Sequence, residues 1–491
     1  MGSRITQSGK RTASLLAVGA LLLSLPACGN RLAKSELLAD NAGGVQLSQI
    51  GPATDAGPAA PGSGVVGTGT STAAAPAGTG AGAPAATGTG TATAAGTATK
   101  SSMSAGSAST KTQPIASATT SQAACTGTKS EIAIGTVGGQ SGFIGSAVRS
   151  GVDAIEAWVA DTNARGGLYC HPIKYYVADD GGDPAKNASL TQQMIDDRHV
   201  VAMLFSDNPL SAMGGRPVLE RAHVPTIASE GADQYFNTSP DFFPLAATGD
   251  KLIEAEYGML KEELTPEQAQ HIGVLACLEA PVCSTFGGAN GDKVAAKYGM
   301  KIVYSAQSTL VQPDYTSNCQ SAKAAGVQAF FFAGDAGFDS RIIRSCAQIG
   351  FKPQFATGPV GLATNAVTLP ELDGILLGGT AMPWFADNPI AKRYLSTLQK
   401  YLPGALPGGS GSIGWAAAML FEMIAAGFPD NPTPQDVYNG LYKVKNFDFG
   451  GYIAPVTFTK DKPAVMPVCW WSMAIRNKQW VSTNGSKRAC A

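Results

Sequence analysis

From about Ser130 onward, the hydrophobic pattern alternates between short apolar runs and longer segments of helical periodicity. The run EIAIGTV has the length and composition of a buried strand. The segment after it has one apolar helical face, formed by Val148, Val152, Ile155 and Val159. Further strands and helices follow in alternation as far as the run VPTIAS. Strands and helices that alternate with short connections predict a parallel sheet covered by helices on both faces.

A second series of the same kind begins near His271. Its strands are predicted at HIGVLAC, KIVYSAQ, VQAFFFAG and QFATG, with helices between them. Roughly 360 residues that hold two such series favour two α/β lobes over one large sheet. Several helices between Ile390 and Val444 and a β-rich end complete the pattern. The apolar stretch from Ile413 to Phe428 is interrupted by Glu422, which predicts a buried helix rather than a membrane span.

The N-terminal pattern is of a different kind. Arg4, Lys10 and Arg11 precede an almost wholly apolar stretch from Leu15 to Ala27. About thirteen residues rise only about 20 Å as a helix, which is too short to cross a hydrocarbon core of about 30 Å. A basic start, a short apolar run and a small-residue exit indicate an export signal over residues 1–27. The sequence Leu-Pro-Ala-Cys that ends at Cys28 resembles the lipobox of bacterial lipoproteins, which predicts cleavage and acylation of Cys28. An ordinary signal with a coincidental cysteine is the alternative.

A long segment between the signal and the first strand has almost no hydrophobic pattern. From about Asn41 to Ala124, the chain consists mainly of Ala, Gly, Thr, Ser and Pro, with no aromatic side chains. Such a composition cannot bury enough apolar surface to offset the entropy lost on ordering. Residues 28–127 are predicted to be the lipid anchor that the lipobox resemblance implies, followed by a disordered linker. The resulting protein is tethered to the outer face of a bacterial cell membrane, either at the cell surface or in the periplasm.

Charge and cysteine usage narrow the function classes. A formal net charge of −1 and a sequence pI of about 6.4 offer no basic face for nucleic acid. Eight cysteines follow Cys28, and an even number outside the cytoplasm suggests disulfides, although 105 pairings are possible. We expect each of these cysteines to pair with its neighbour in sequence order. The candidates are Cys125, Cys170, Cys277, Cys283, Cys319, Cys346, Cys469 and Cys490.

A metal site and an enzyme site are weak alternatives. The spacing between Cys277 and Cys283 does not fit common zinc knuckles, and the chain has only four histidines. None of these histidines lies next to a recognisable nucleophile motif, and no Gly-x-Ser-x-Gly or Walker sequence occurs. We therefore expect no metal, no cofactor and no catalytic activity.

The first part of the strand–helix region resembles the opening of type I periplasmic binding proteins of the leucine/isoleucine/valine-binding kind. These proteins begin with a strand, a loop rich in Gly and Ser, a helix that ends in Asn-x-x-Gly-Gly, and a strand that closes on Asp-Asp. The matching residues are Asn163, Gly166, Gly167, Asp179, Asp180, Asp183 and Pro184. The resemblance continues through ERAHVPTIASEG and DYTSNCQSAKAAGVQAFFFAG and extends over roughly residues 130–480.

The resemblance implies an α/β fold of two Rossmann-like lobes joined by a three-strand hinge. Lobe 1 is placed at about 128–248 and 380–442, and lobe 2 at about 249–379 and 443–491. Family members are solute receptors of ABC importers and hold their ligand between the lobes. The expected partners are therefore a small solute, the permease subunits of an importer and, through Cys28, the lipid bilayer.

The site is expected where loops follow the carboxyl ends of parallel strands, since solutes bind there in open α/β sheets. The resemblance assigns roles in lobe 1 to the first loop and to the loops after the third and fourth strands. In lobe 2 it assigns an aromatic side chain and acids. The implied ligand-binding residues are Gln140, Ser141, Phe143, Ser206, Asp207, Ala228, Ser229, Glu230, Glu279, Phe286 and Asp335.

The function that follows is capture of a small solute by hinge closure, with a branched-chain or other apolar amino acid favoured. Amides and small aromatic acids stay open as ligands. The same fold also serves ligand-sensing receptors that signal to a membrane partner, and genomic neighbours would distinguish a permease partner from a kinase.

Overall fold

The computed structural model describes residue 125 and residues 127–206, 208–228, 234–358 and 364–491. The predicted signal peptide, the acylated Cys28 and nearly all of the predicted linker lie outside these residues. Among the residues that the structure describes, no helix combines the length and the hydrophobicity needed to cross a bilayer.

The first sheet is five-stranded, and all its strands are parallel, in the order β2-β1-β3-β4-β5. Its strands are β1 (Ile132–Gly138), β2 (Ile173–Asp179), β3 (Ala202–Leu204), β4 (Thr226–Ile227) and β5 (Phe242–Phe243). The helices in this part of the chain are α1 (Gly142–Ala164), α2 (Pro184–Asp196) and α3 (Ala212–Ala222). A short 3-10 helix, Gln234–Asn237, precedes β5. This sheet and its helices form lobe 1.

The second sheet follows after the chain leaves β5. Its opening helices are α4 (Asp250–Glu263) and α5 (Pro266–Ala269). The next elements are β6 (Ile272–Cys277), α6 (Gly288–Lys297), β7 (Ile302–Ser308), α7 (Thr316–Ala324), β8 (Ala329–Ala333), α8 (Ala336–Gln348), β9 (Gln354–Thr357) and β10 (Leu376–Gly379). Short 3-10 helices lie at Pro281–Thr285, Thr364–Thr368 and Pro370–Leu372. These strands are parallel and lie in the order β7-β6-β8-β9-β10, and they form the body of lobe 2.

After β10 the chain goes back to lobe 1 and then returns to lobe 2. The helices of this excursion are α9 (Pro389–Tyr401), α10 (Gly409–Ile424) and α11 (Pro434–Leu441), and both α9 and α10 pack against α1. The final strands are β11 (Cys469–Arg476), β12 (Gln479–Ser482) and β13 (Ala489–Cys490), with β11 antiparallel to β10. The chain therefore crosses between two parallel-sheet lobes three times, which confirms the predicted fold class.

Helix α10 explains the apolar run that the sequence places after Ile413. Its residues Trp415, Leu420 and Phe421 are fully buried. The acid that interrupts the run, Glu422, is not isolated: its Oε2 atom accepts hydrogen bonds from Trp158 Nε1 at 2.9 Å and from an Arg393 nitrogen at 3.1 Å. This is a buried helix, as predicted, and the acid is neutralised by a paired cation.

Helices α1 and α10 approach so closely that their backbones touch. A Cβ atom added to Gly414 would lie 2.3 Å from the Gly151 carbonyl oxygen, and one added to Gly151 would lie 2.1 Å from the Phe205 ring. One turn earlier in α10, a Cβ on Gly411 would meet the Tyr394 hydroxyl at 2.0 Å. Glycine is required here because the space is filled by backbone and by rigid rings, and not for its freedom of φ.

All eight cysteines of the described region form disulfides. The pairs are Cys125–Cys170, Cys277–Cys283, Cys319–Cys346 and Cys469–Cys490. These are the pairs that sequence order gives. Each closes a short loop within one lobe, so the cross-links leave the crossings between the lobes unconstrained.

Lobe 2 contains a buried acid that lacks a cation. Glu256 in α4 is 1% exposed, and neither of its carboxyl oxygens has a hydrogen-bond partner. Its carboxyl group packs over Gly378 in β10, where a Cβ atom would lie only 2.3 Å from Oε2. Burial raises the pKa of Glu256 well above its ordinary value. The nearby N–H of Gly378 opposes this rise in pKa only in part.

The α1–α10 contact predicts that Gly414→Ala destabilises lobe 1. Helix propensity alone would favour alanine by about 1 kcal/mol. The added methyl group meets backbone that cannot rotate away, and overpacking of this kind typically costs about 1–3 kcal/mol. We expect a lower midpoint in urea unfolding followed by circular dichroism. Gly427→Ala is the matched control, since its nearest neighbour would be a flexible lysine end at 3.9 Å. Equal midpoints for the two variants would contradict the close contact.

The buried acid predicts a stability change with pH that Glu256→Gln removes. Between the unfolded carboxyl pKa of about 4.3 and the raised folded pKa, the folded state binds more protons than the unfolded state. Stability is therefore lost as pH rises through this window, by at most about 1.4 kcal/mol per pH unit. We expect the glutamine variant to melt above the wild type at pH 8 and to lose that advantage near pH 4. The exposed Glu131→Gln serves as control, and a variant advantage that is constant with pH would exclude this explanation.

Candidate functional site

The ends of two neighbouring strands of lobe 1 carry strained backbone. Phe205 follows β3 with φ of 51°, and Ala228 follows β4 with φ of 64°. Left-handed conformations are rare for residues other than glycine, most of all for bulky ones, and they cluster at functional sites. The amide of Phe205 still donates to the Ile227 carbonyl, so both strands end in register before the chain turns. The same two loops are those in which the sequence predicts the solute's polar contacts.

The loop after β1 is held by the carboxylate of Asp179 at the end of β2. Asp179 Oδ1 accepts hydrogen bonds from the N–H groups of Gln140 at 2.8 Å, Gly181 at 2.9 Å and Ser141 at 3.3 Å. Partial burial opposes ionisation, but these bonds and one from the Ser141 hydroxyl outweigh it and lower the pKa of Asp179. Ser141 is thus bonded within its own lobe. The Gln140 backbone is bonded in the same way, but its side-chain Oε1 atom is buried without a hydrogen-bond partner.

The loop after β3 also contains unsatisfied polar atoms. Ser206 is 4% exposed and Asn208 is 9% exposed, and neither Ser206 Oγ nor Asn208 Oδ1 has a hydrogen-bond partner. Thr226 Oγ1 of β4 is in the same state. All three residues line a small cavity beneath the loop, of about 10 Å³, which is room for about one water molecule. Ser206 therefore faces a space the size of one water molecule, and its assignment as a ligand-binding residue stays a prediction.

The residues predicted in lobe 2 are engaged within that lobe. Glu279 Oε1 accepts from Thr309 Oγ1 at 2.5 Å and from the Leu310 N–H at 2.8 Å. Partial burial disfavours its charge, yet these bonds prevail and lower the pKa of Glu279. The Phe286 ring is buried and stacks on Phe331 with 5.4 Å between ring centroids. These contacts give both residues a structural role and do not favour contact with a solute.

Asp335 is the N-cap of α8. Its Oδ1 atom accepts from the N–H groups of Gly337 at 2.7 Å and Phe338 at 2.9 Å. A capping carboxylate satisfies backbone donors that the first helical turn leaves open. The next residue, Ala336, faces a large cavity, so Asp335 lies at the margin of that cavity rather than inside it.

The remaining predicted residues cannot be placed. Asp207, Ser229, Glu230 and the side chain of Phe143 lie outside the described residues. The backbone of Ala228 is described and follows β4, as predicted.

A cavity of about 430 Å³ lies between the lobes. One wall belongs to lobe 1 and comes from α1 and from the loop between α9 and α10. The opposite wall belongs to lobe 2 and comes from the start of α8 and from the short helix after β9. The lining residues are Arg149, Ser150, Asp153, Gly404, Ala405, Leu406, Ala336, Asn365, Ala366, Thr368 and Leu369.

The two walls touch next to the cavity. The Thr364 N–H and hydroxyl of lobe 2 both donate to the Pro407 carbonyl of lobe 1, at 2.9 and 2.8 Å. Trp480 Nε1 in β12 donates to the Thr364 carbonyl at 3.2 Å and ties this contact to the second sheet. A cavity of this volume, with mostly apolar walls and a few polar groups, has the form of a small-molecule site.

The sequence pattern does not single out most of these lining residues. Asn365 to Leu369 and Gly404 to Leu406 follow no predicted strand, and only the tertiary fold brings them beside α1. Arg149 and Asp153 gave a weak signal, because an Arg–Asp pair four residues apart lies on one face of the predicted helix.

Known proteins share this two-lobe arrangement. A model of the family described as periplasmic binding protein matches residues 131–479. This chain belongs to the periplasmic binding protein family. The predicted type I fold is confirmed by this match and by the similarity to solved structures of leucine/isoleucine/valine-binding proteins.

Three solved structures show how far the likeness of this periplasmic binding protein extends. A branched-chain amino acid ABC transporter protein from Thermus thermophilus with bound valine is 16% identical, with a TM-score of 0.63 over 74% of this chain and 97% of that chain. A fatty acid ABC transporter substrate-binding protein from Thermomonospora curvata is 16% identical, with a TM-score of 0.61 over 74% and 93%. A solute-binding protein from R. palustris in complex with benzoate is 13% identical, with a TM-score of 0.59 over 74% and 98%. Identities this low establish a shared fold only. No curated protein matches the chain in sequence.

Proposed function

We propose that this periplasmic binding protein captures a small solute between its lobes and delivers it to the permease of an ABC importer. The observation that carries the proposal is the cavity of about 430 Å³ whose walls come from both lobes. A solute held there touches α1 of lobe 1 and the segment from Asn365 to Leu369 of lobe 2 at once. Such a solute stabilises the arrangement in which the walls are close, since it binds that arrangement more tightly.

The favoured solute is an amino acid with an apolar side chain, of the branched-chain type. The apolar wall residues of the cavity support this assignment. The family match supports a binding function, and the valine-bound relative supports this kind of solute by analogy. No described group of three or more metal-ligating side chains competes with this use of the cleft.

Solute capture predicts thermal stabilisation of the purified full chain by an apolar amino acid. A ligand at 100 times its dissociation constant adds about 2.7 kcal/mol of stability. We expect at least one compound in a panel of amino acids and small organic acids to raise the melting temperature and to reduce the radius of gyration in small-angle X-ray scattering. Ala405→Trp fills the cavity and should abolish both effects, whereas Ala324→Trp on exposed α7 should leave them intact. Stabilisation that survives Ala405→Trp would place the solute elsewhere.

We further propose that acylated Cys28 anchors the protein to the outer face of the cell membrane, on the basis of the Leu-Pro-Ala-Cys sequence. Cys28→Ala should move the protein from the membrane fraction into the soluble extracytoplasmic fraction, because the lipid supplies the hydrophobic attachment. Ser35→Ala, a few residues downstream, should stay membrane-bound. Continued membrane association of the Cys28 variant after a high-salt wash would contradict the anchor.

A further inference from the structure

One wall of the cavity between the lobes carries an arginine that is held by a buried acid. Arg149 Nε donates to Asp153 Oδ1 at 2.6 Å, one turn further along α1. The Asp153 side chain is 8% exposed, whereas that of Arg149 is 50% exposed. Charge-assisted bonds of this kind are strong and directional, and the guanidinium plane is rigid. Asp153 therefore holds the Arg149 head group in one orientation and uses only one of its five N–H donors.

Arg149 and Asp153 both line the cavity, and Arg149 carries most of the exposed charge, because its side chain is 50% exposed and that of Asp153 only 8%. The other described lining residues are uncharged. Glu156 lies 3.6 Å from another Arg149 nitrogen, but it does not line the cavity, and both side chains are about half exposed. Solvent screens an exposed pair of this kind, which contributes little. A cation entering the cavity would meet the guanidinium first, whereas an anion would find unused donors.

The rest of the cavity suits an apolar body. Ala336, Ala366 and Leu369 come from lobe 2, and Ala405 and Leu406 come from the loop between α9 and α10. Leu406 is 44% exposed, so it presents apolar surface to the space between the lobes. Burial of such surface by a solute is favourable, because it removes apolar area from water. Asn365 and Thr368 add uncharged hydrogen-bonding groups.

We propose that Arg149, positioned by Asp153, binds the carboxylate of the solute, so that the substrates of this protein are monocarboxylic acids with an apolar body and not their amides. This inference rests on the proposed capture of a solute between the lobes. It assigns the charge recognition to the third turn of the first helix, and not to the strand-end loops alone. The solutes named for the related structures, valine, benzoate and fatty acid, share this chemistry.

The test compares each acid with its own amide. The probes are isoleucine, benzoate and octanoate, each paired with its primary amide, and binding to the full chain is measured by isothermal titration calorimetry. For at least one pair, we expect the acid to bind ten times more tightly than the amide or better. Arg149→Gln should weaken binding of that acid about tenfold or more and change amide binding less than twofold. Asp153→Asn should lower the acid-to-amide ratio several-fold, an effect that a merely structural role would not produce.

A matched control lies on the same helix. Arg165 forms the same kind of bond to Asp161, with Nε to Oδ2 at 3.0 Å, but it does not line the cavity. Arg165→Gln should leave the acid-to-amide ratio unchanged. Arg149→Lys keeps the positive charge but lacks the planar guanidinium with its paired donors, and it should give an intermediate acid-to-amide ratio. This variant carries the test if Arg149→Gln does not fold.

The outcomes separate this inference from the proposed function. An acid-to-amide ratio near one in the wild type, or a high ratio that persists in Arg149→Gln and Arg149→Lys, would overturn the inference and leave solute capture intact. Failure of all six probes to bind would overturn the assignment of apolar monocarboxylic acids. Thermal stabilisation by some other solute, if it is lost in Ala405→Trp, would then still support the proposed function.

Discussion

The contact between the backbones of α1 and α10 constrains much of the molecule. Gly151 and Gly414 let these helices touch, and the opposite side of Gly151 receives the Phe205 ring at the end of β3. The third turn of α1 is thus packed between α10 and a strained strand end. The loop that leads into α10, Gly404 to Leu406, is consequently held beside Arg149 and Ser150. A contact that is only a matter of helix packing thereby builds the lobe 1 wall of the cavity.

The same contact requires the chain to return from lobe 2 to lobe 1. Helix α10 belongs to lobe 1 but follows all five parallel strands of lobe 2 in sequence. Its return brings Pro407 to Thr364, and that pair of hydrogen bonds closes one end of the space between the lobes. The disulfides stay inside single lobes, and so the crossings are free to act as the hinge that the type I fold implies.

Polar groups are treated differently in the two lobes. In lobe 2, Glu279 and Asp335 satisfy loop and helix N–H groups, which fixes the strand ends of that lobe before any solute arrives. In lobe 1, Gln140 and Ser206 retain buried oxygen atoms without partners. An unsatisfied buried polar atom costs about 1–3 kcal/mol, and a left-handed residue such as Phe205 costs a similar amount. Among these strand-end loops, those of lobe 1 are therefore the ones in which a polar partner, either a solute or water, gains the most.

The parts of the fold that local patterns determine were predictable. Alternating strands and amphipathic helices give parallel sheets, and parallel strands bring their carboxyl ends to one edge, so the loops with Gln140 and Ser206 could be identified from the sequence. Residue roles that depend on tertiary neighbours could not. The resemblance assigns Phe286 to the solute because an aromatic follows the first strand of lobe 2 in the family, and that role stays a prediction. Its stacking on Phe331 depends on a tertiary neighbour that the sequence pattern does not show. Helix α4 and its buried Glu256 gave no distinctive signal, since burial of this acid depends on Gly358, which follows β9, and on Gly378 of β10.

The distribution of chemistry over the two walls has a consequence for closure. Arg149 belongs to lobe 1, whereas Leu369 and Ala366 belong to lobe 2. Apolar side chains lie on both walls, because Ala405 and Leu406 belong to lobe 1, whereas the charge of Arg149 lies on lobe 1 alone. A solute with a carboxylate but no apolar body is therefore held by lobe 1 and gains little from the approach of lobe 2. A solute that has both realises its full binding energy only when the walls are close, and only this difference in affinity can shift the lobes toward the closed arrangement. Under the proposed function, selectivity for apolar acids and lobe closure would therefore be two results of the same placement of residues on the two walls.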